Sequence, residues 1–399
     1  MPGLKPVHLG LLIAATVCSP VNAGDGDALH PFAGLGYSYE DNLLRLPDDH
    51  PGLGGQRSDS LRQAIAGILF DRTYSRQDIF VQAKVTKVEF DHFKQLDYDG
   101  KDLLGRWRWE LGRQLSGTIE GSYVETLAPF TDFHSGERNL REQRHWRADA
   151  AWLMHPSWRL RGGVSEDEFK YELSSQFFNN RTEKLAEAGV DFVSRSGNYA
   201  GLVFRRLDGN YPNRRMFGSI LADESFEQDE IKARVNWRGS GVTTIDVLAG
   251  WAKRKHAFFT DRDVSGANGR ASLVYTPRGK TKLTATVWRE FAPLESTIVS
   301  SSLNKGGSLG AEYAATGKTR VTASLRSERR KYVARPDTSA AGLDLGDRLR
   351  QATVGLTYLP TRNIQVNLSA FKETRKGGET LGLNSYKAKG VSFSVNAQF

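Results

Sequence analysis

The chain has 399 residues, with 55 Lys plus Arg against 46 Asp plus Glu for a formal net charge of +9, and a single cysteine. A lone cysteine excludes a disulfide framework and a thiolate metal cluster, and no stretch approaches the roughly 18 apolar residues of a helical membrane span. The low mean hydropathy excludes nothing more, because a barrel with a wet interior shows lipid only to alternate side chains.

At the start of the chain, Lys5 and His8 precede the apolar run Leu9 to Val17, and Val21-Asn22-Ala23 offers a small-residue cleavage site before Gly24. This pattern predicts a secretory leader over 1–23 and a mature domain over 24–399. Cys18 falls inside the leader behind Thr16 and Val17, not behind the small residue that a lipoprotein signal requires. The mature protein is therefore expected to carry neither thiol nor lipid.

From about Phe32 onward the chain repeats segments of alternating polarity. Trp107, Trp109 and Leu111 alternate with Arg106, Arg108 and Glu110, and Trp146, Ala148, Ala150 and Trp152 alternate with Arg147, Asp149 and Ala151. Further on, Ile231, Ala233, Val235 and Trp237 alternate with Lys232, Arg234, Asn236 and Arg238, and Ile364, Val366, Leu368 and Ala370 alternate with Asn363, Gln365, Asn367 and Ser369. A period of two is the mark of a strand with one apolar and one polar wall.

The connections alternate in length. Short ones fall at 73–76, 112–114, 155–157, 194–198, 239–241, 277–280, 316–318 and 360–363, and mostly longer ones at 42–59, 91–100, 130–139, 173–180, 208–223, 258–264, 292–300, 335–346 and 376–382. Short turns face the periplasm and long loops the exterior in outer-membrane barrels. The reading is an all-β transmembrane antiparallel barrel of about 18 strands with both termini periplasmic. Counts of 16 or 20 stay open, because weak segments such as Tyr199 to Leu207 can be merged or split.

The last strand places Val391, Phe393, Val395, Ala397 and Phe399 on one wall, with Ser392, Ser394, Asn396 and Gln398 on the other. A terminal aromatic on an alternating strand fits the interfacial girdle of such a barrel. It resembles the C-terminal signal read by the barrel-assembly machinery, which places the chain in the bacterial outer membrane among its lipid and lipopolysaccharide.

Three motifs carry a closer resemblance. The run Tyr37-x-Tyr39-Glu40-Asp41-Asn42-x-x-Arg45, within a first strand read as Phe32 to Arg45, looks like the opening of the beta-barrel porin group found beside polysaccharide gene clusters. The segments Phe204-Arg-Arg-Leu-Asp-Gly-Asn-Tyr-Pro-Asn-Arg214 and Arg254-Lys-His-Ala-Phe-Phe-Thr-Asp-Arg-Asp-Val-Ser-Gly266 resemble the exosortase-associated EpsL-type exopolysaccharide outer-membrane proteins, with Val264 standing where an aromatic is expected. The resemblance implies passage of an exopolysaccharide to the cell surface and a separate periplasmic polysaccharide export protein as partner. It brings no catalytic residue.

On the polar wall the basic residues are Arg106, Arg108, Arg147, Arg159, Arg161, Lys232, Arg234, Arg270, Arg320, Arg326 and Arg330, interleaved with Glu110, Glu120, Asp149, Glu312 and Glu328. A ladder of guanidinium groups could pass an acidic polymer; equally, these charges could pair with one another and solvate the lumen. Loop aromatics (Phe130, Phe133, Phe177, Phe178, Tyr211, Phe217, Phe258 and Phe259) could stack on sugars or pack the loops. An acidic run, Glu224 to Glu230, reads as a solvated loop or a calcium site.

Seven histidines follow the leader: His30, His50, His92, His134, His145, His155 and His256. None sits in a nucleophile motif, His134-Ser135-Gly136 being the nearest approach. No metal spacing, nucleotide loop or nucleic-acid motif appears. The expectation is a non-enzymatic channel without cofactor, with a general or solute-specific porin and a non-conducting structural barrel as the other readings.

Overall fold

The computed structural model describes residues 28–131, 133–217, 220–258, 260, 263–293, 299–334, 346–377 and 385–399. The leader expected over 1–23, and with it Cys18, lies outside the described residues.

The alternating segments form strands β1 (Leu29–Glu40), β2 (Asp59–Tyr74), β3 (Gln77–Phe90), β4 (Tyr98–Leu111), β5 (Leu115–Leu127), β6 (Leu140–His155), β7 (Trp158–Tyr171), β8 (Arg181–Val193) and β9 (Tyr199–Asn210). A small hairpin of β10 (Arg215–Phe217) and β11 (Ile220–Ala222) follows. The barrel resumes with β12 (Phe226–Gly239), β13 (Thr243–His256), β14 (Val264–Tyr275), β15 (Thr281–Pro293), β16 (Val299–Ala314), β17 (Thr319–Ala334), β18 (Gly346–Tyr358), β19 (Ile364–Gly377) and β20 (Tyr386–Gln398).

Setting the hairpin aside, 18 strands form one sheet. Each is antiparallel to its neighbours, β9 pairs with β12, and β1 pairs with β20 with Leu35 opposite Val395, so the sheet closes without an edge. Closure gives every strand a hydrogen-bonded neighbour on both sides, the condition a spanning sheet has to meet. The segment 199–207, which left the strand count open, lies within the single strand β9. Tight turns join the strands at one end; at 240–242, Ser240 (φ 50°) and Gly241 (φ 72°) adopt the left-handed backbone that matches the twist of a tight hairpin.

The period of two separates two environments. Outward positions leave apolar side chains bare around the barrel, among them Leu35 (68 % exposed), Leu202 (60 %), Leu309 (61 %) and Leu325 (59 %). Tyr74, Trp158, Phe192, Trp237, Tyr275, Tyr313, Tyr358 and Phe399 add exposed aromatics towards the short-turn end, where such rings sit at a membrane interface. Inward positions bury Ser38, Asp191, Lys232, Asn236, Asn268 and Ser272.

The first strand ends at Glu40, five residues before the expected Arg45. Arg45 takes a left-handed φ of 56°, which no strand accommodates, and its guanidinium turns back onto Glu40.

Candidate functional site: the lumen and its long-loop mouth

All 11 basic residues expected on the polar wall, Arg106 through Arg330, stand at inward positions of their strands. Nine of them meet a carboxylate. Arg108 lies 3.2 Å from Asp78, Arg147 3.1 Å from Asp149, Arg159 2.6 Å from Asp191, Lys232 2.9 Å from Glu230 and Arg270 2.6 Å from Glu290. Arg320 lies 3.1 Å from Glu312, Arg326 2.8 Å from Glu328 and Arg330 2.9 Å from Asp347, and Arg161 pairs with Glu187. The other two lie over aromatic rings: Arg106 at 5.1 Å from Phe80 and Arg234 at 4.9 Å from Tyr199. The wall is therefore a mosaic of neutralised pairs, because a guanidinium removed from water holds its charge best beside a carboxylate.

Aromatic rings brace this wall. Trp288 lies between Arg270 (5.3 Å) and Arg326 (4.6 Å) and donates its Nε1–H to Glu328 at 2.8 Å. It packs against Gly306, where an added Cβ would fall 2.5 Å from the ring. Such cation–π contacts are stronger out of water.

The mouth at the long-loop end is built differently. The loop 41–58 turns into the barrel: Leu43, Leu44 and Leu46 pack with Leu61, Val88, Phe90, Phe93, Leu96, Tyr98, Leu127 and Phe130. Burying each leucine is worth about 1.5–3 kcal/mol, which favours an inward loop over one trailing in water. Arg45 fixes it, donating to Glu40 at 2.6 Å and to Glu373 on β19 at 3.1 Å. Asn42 donates to the carbonyls of Leu46 (2.8 Å) and Lys387 (2.9 Å). On the outer side of the same loop, Asp48 lies 2.7 Å from Lys387 Nζ, and that hydrogen bond holds its carboxyl below the usual range.

A second anchor comes from the loop 128–139. Arg375 of β19 donates to the Thr131 carbonyl and to Asp347, and its Nη2 donates to the Tyr332 hydroxyl at 3.1 Å. Asp347 also accepts from Arg330 at 2.9 Å and from Tyr332 at 2.6 Å. His134 Nδ1 lies 3.1 Å from the Leu44 carbonyl oxygen, and its ring meets Tyr386 edge-on at 6.1 Å. Because β5 lies six strands from β19 even by the shorter way round the barrel, through β4, β3, β2, β1 and β20, this loop crosses the mouth rather than lining it. Two loops and a buried ion cluster narrow the barrel at this end.

Two expectations change. Phe130 is 4 % exposed in the mouth core and offers no ring to a sugar; Phe177 (43 %) and Phe258 (50 %) are the exposed loop rings. Phe259 lies outside the described residues, as does the side chain of Phe217. Only the first two residues of the acidic run lie in a loop, because β12 begins at Phe226. Strand alternation sends Glu227 and Asp229 outward to Arg206 and Glu230 inward to Arg205 and Lys232. Among the described residues no group of acids and histidines is arranged to hold a metal.

The histidines stay dispersed, His92 beside Asp59 at 3.1 Å and His145 beside Asp167 at 2.9 Å. Residues that strand alternation did not single out, namely Glu40, Arg45, Asp347, Glu373 and Arg375, turn out to hold the mouth. A signal for two of them was present in the Tyr-x-Tyr-Glu-Asp-Asn-x-x-Arg run, whose Glu40 and Arg45 form the latch.

A closed antiparallel barrel with an apolar outer belt and a polar interior is a porin-like protein of the bacterial outer membrane. The profile of the family described as "Putative beta-barrel porin 2" matches residues 224–399. Among solved structures the chain is similar to OccK2 (OpdF) of Pseudomonas aeruginosa, at 9 % identity over 94 % of this chain and 98 % of that one, with a TM-score of 0.49. It is similar to OccAB3 of Acinetobacter baumannii at 9 % identity over 93 % and 99 %, TM-score 0.49, and to the alcaligin receptor FauA of Bordetella pertussis at 14 % identity over 92 % and 76 %, TM-score 0.41. No curated protein matches.

Proposed function

We propose that the barrel is a channel for export of an exopolysaccharide across the outer membrane, held narrow at its long-loop mouth until export opens it. The observation that carries this reading is the mouth itself. A polar lumen lined largely by ion pairs leads to two loops held by the Arg45–Glu373 and Arg375–Thr131 contacts. A latch of this kind suits a conduit for a long polymer, which must stay shut between chains. The three family-like motifs support the same reading.

In this proposal the long loops face outside, and the short turns meet a periplasmic polysaccharide export protein. The terminal strand through Phe399 is read by the barrel-assembly machinery. The paired lumen bears on the polymer: with nine cations matched by carboxylates, the wall selects weakly for anions and suits a neutral or mildly acidic chain. No covalent step is involved.

The second reading is a solute-specific porin, favoured by the family profile over 224–399. Replacing Glu40, Arg45 and Glu373 together by Gln, Met and Gln removes the latch without stranding a charge. In planar bilayers this variant should show a severalfold larger single-channel conductance than the parent. Export is then read in cells: loss of surface polymer on deleting the gene, with normal small-solute uptake, supports the conduit. Lost solute uptake with normal surface polymer establishes the porin, and unchanged conductance together with unchanged export leaves a structural barrel.

A further inference from the structure

We propose that the outer face of β15–β19, at the long-loop edge of the apolar belt, is a binding site for the phosphate groups of outer-leaflet lipopolysaccharide. The inference rests on strand register. Arg289 stands opposite Lys305, Lys305 opposite Arg329, Arg329 opposite Arg348, and Arg348 opposite Lys376. Five adjacent strands thus contribute one cation each to a single row, spanning about 19 Å at the usual interstrand spacing.

Like charges directly opposed across strands destabilise a sheet, so such a row calls for a compensating anion. The protein does not supply one: among the described residues none of the five has a carboxylate within ion-pair distance, and the Arg289 Nε donates only to the Ala267 carbonyl at 2.8 Å. A second opposed pair, Lys372 and Lys389, lies just beyond the row.

The face is the lipid-facing one. It leads into Val287 (59 % exposed) next to Arg289 and, past Gly307, Ser327 and the pair Arg350 and Ala352, into Leu309 (61 %), Leu325 (59 %) and Val354 (56 %). The row therefore sits where the hydrocarbon ends and headgroups begin, at the end of the barrel whose long loops face outside.

The arc from β4 to β12 shows that the row is not simply what the long-loop rim requires. On the arc from β4 to β12 the outward cations at the same level are neutralised by neighbours. Lys101 lies 2.9 Å from Glu125, Arg144 2.7 Å from Glu142, Lys170 2.8 Å from Glu168 and Arg206 2.7 Å from Glu227. One arc is self-compensated and the other is left for an external anion in the plane of the headgroups. Guanidinium groups take phosphate oxygens bidentately, and ammonium groups take them as point charges.

The test uses the full-length mature barrel, refolded in detergent and probed with bisphosphorylated lipid A, the same lipid A without phosphates, and phosphatidylglycerol. The row variant is Lys305→Ser/Arg329→Ser/Arg348→Ser, and the control on the other arc is Lys101→Ser/Arg144→Ser/Arg206→Ser. Native mass spectrometry should show the parent and the control retaining bisphosphorylated lipid A and the row variant retaining it about tenfold less. Without lipid A the row variant should unfold at the same or higher urea concentration than the parent, since self-repulsion has been relieved. With lipid A the parent should overtake it.

This reversal of order separates a binding role from a structural one. Equal lipid A retention by parent and row variant overturns the site, as does retention that ignores the phosphates. Equal retention of phosphatidylglycerol overturns the lipopolysaccharide assignment in favour of unspecific attraction to anionic lipid.

Discussion

The two ends of β17 show the same chemistry in opposite settings. Near the short turns Arg320 pairs with Glu312 at 3.1 Å while the two side chains keep 51 % and 38 % of their surface exposed. At the long-loop end of the strand Arg330 pairs with Asp347 at 2.9 Å with 7 % and 0 % exposed. The wall is continuous, so the difference comes from what lies against it. Loops 41–58 and 128–139 fill the mouth, and the short-turn end has no such cover. An ion pair in this barrel is a solvated lining at one end and a structural fastener at the other.

The most damaging change should be Asp347→Ala, which removes the carboxylate shared by Arg330, Tyr332 and Arg375. Breaking a buried ion pair by removing one partner costs about 3–5 kcal/mol, and the urea midpoint of the refolded barrel should fall accordingly. A midpoint equal to that of the parent would mean that the mouth is hydrated and the contrast along β17 false.

The next largest effect sets the two walls of β12 against each other. Val235→Arg places a charge in the hydrocarbon at a cost of about 2–4 kcal/mol, whereas Arg234→Val keeps to the lumen. Yield of heat-modifiable barrel in the membrane fraction should drop for the first and hold for the second. The reverse order would shift the register of β12 by one residue.

The assembly step is probed by Phe399→Asp, expected to lower the yield of inserted barrel severalfold while leaving the amount of exported chain unchanged. Equal insertion would remove the terminal aromatic from the assembly signal. The smallest effect belongs to Arg320→Ala, at the exposed end of β17, where a solvated pair contributes about 0–1 kcal/mol. A loss comparable to that of Asp347→Ala would show the two ends of the strand to be equally buried.

Much of the barrel was legible because its signal is local. Trp107 and Arg106, or Val235 and Arg234, declare opposite walls by adjacency alone, and turn residues such as Ser240-Gly241 punctuate the strands. The mouth was not legible in this way. Leu43, Leu44 and Leu46 read as three apolar residues in a long connection, and nothing in their spacing says whether they meet the inner wall of β2–β4. The acidic run misled for a related reason, since charge density suggested a loop where the next strand had already begun at Phe226.

The sequence by itself determined the architecture: alternation at period two, tight and long connections in turn, and an apolar final strand together specify a membrane barrel and which side chains face its lumen. Only the tertiary structure decided the partners. Whether Arg375 meets Thr131, or Arg329 finds Arg348 rather than a carboxylate, depends on closure bringing distant strands together and on the register in which they pair. A strand's own residues fix which wall each side chain joins. The strands hydrogen-bonded to it, and the loops folded against it, fix whether that side chain finds an opposite charge.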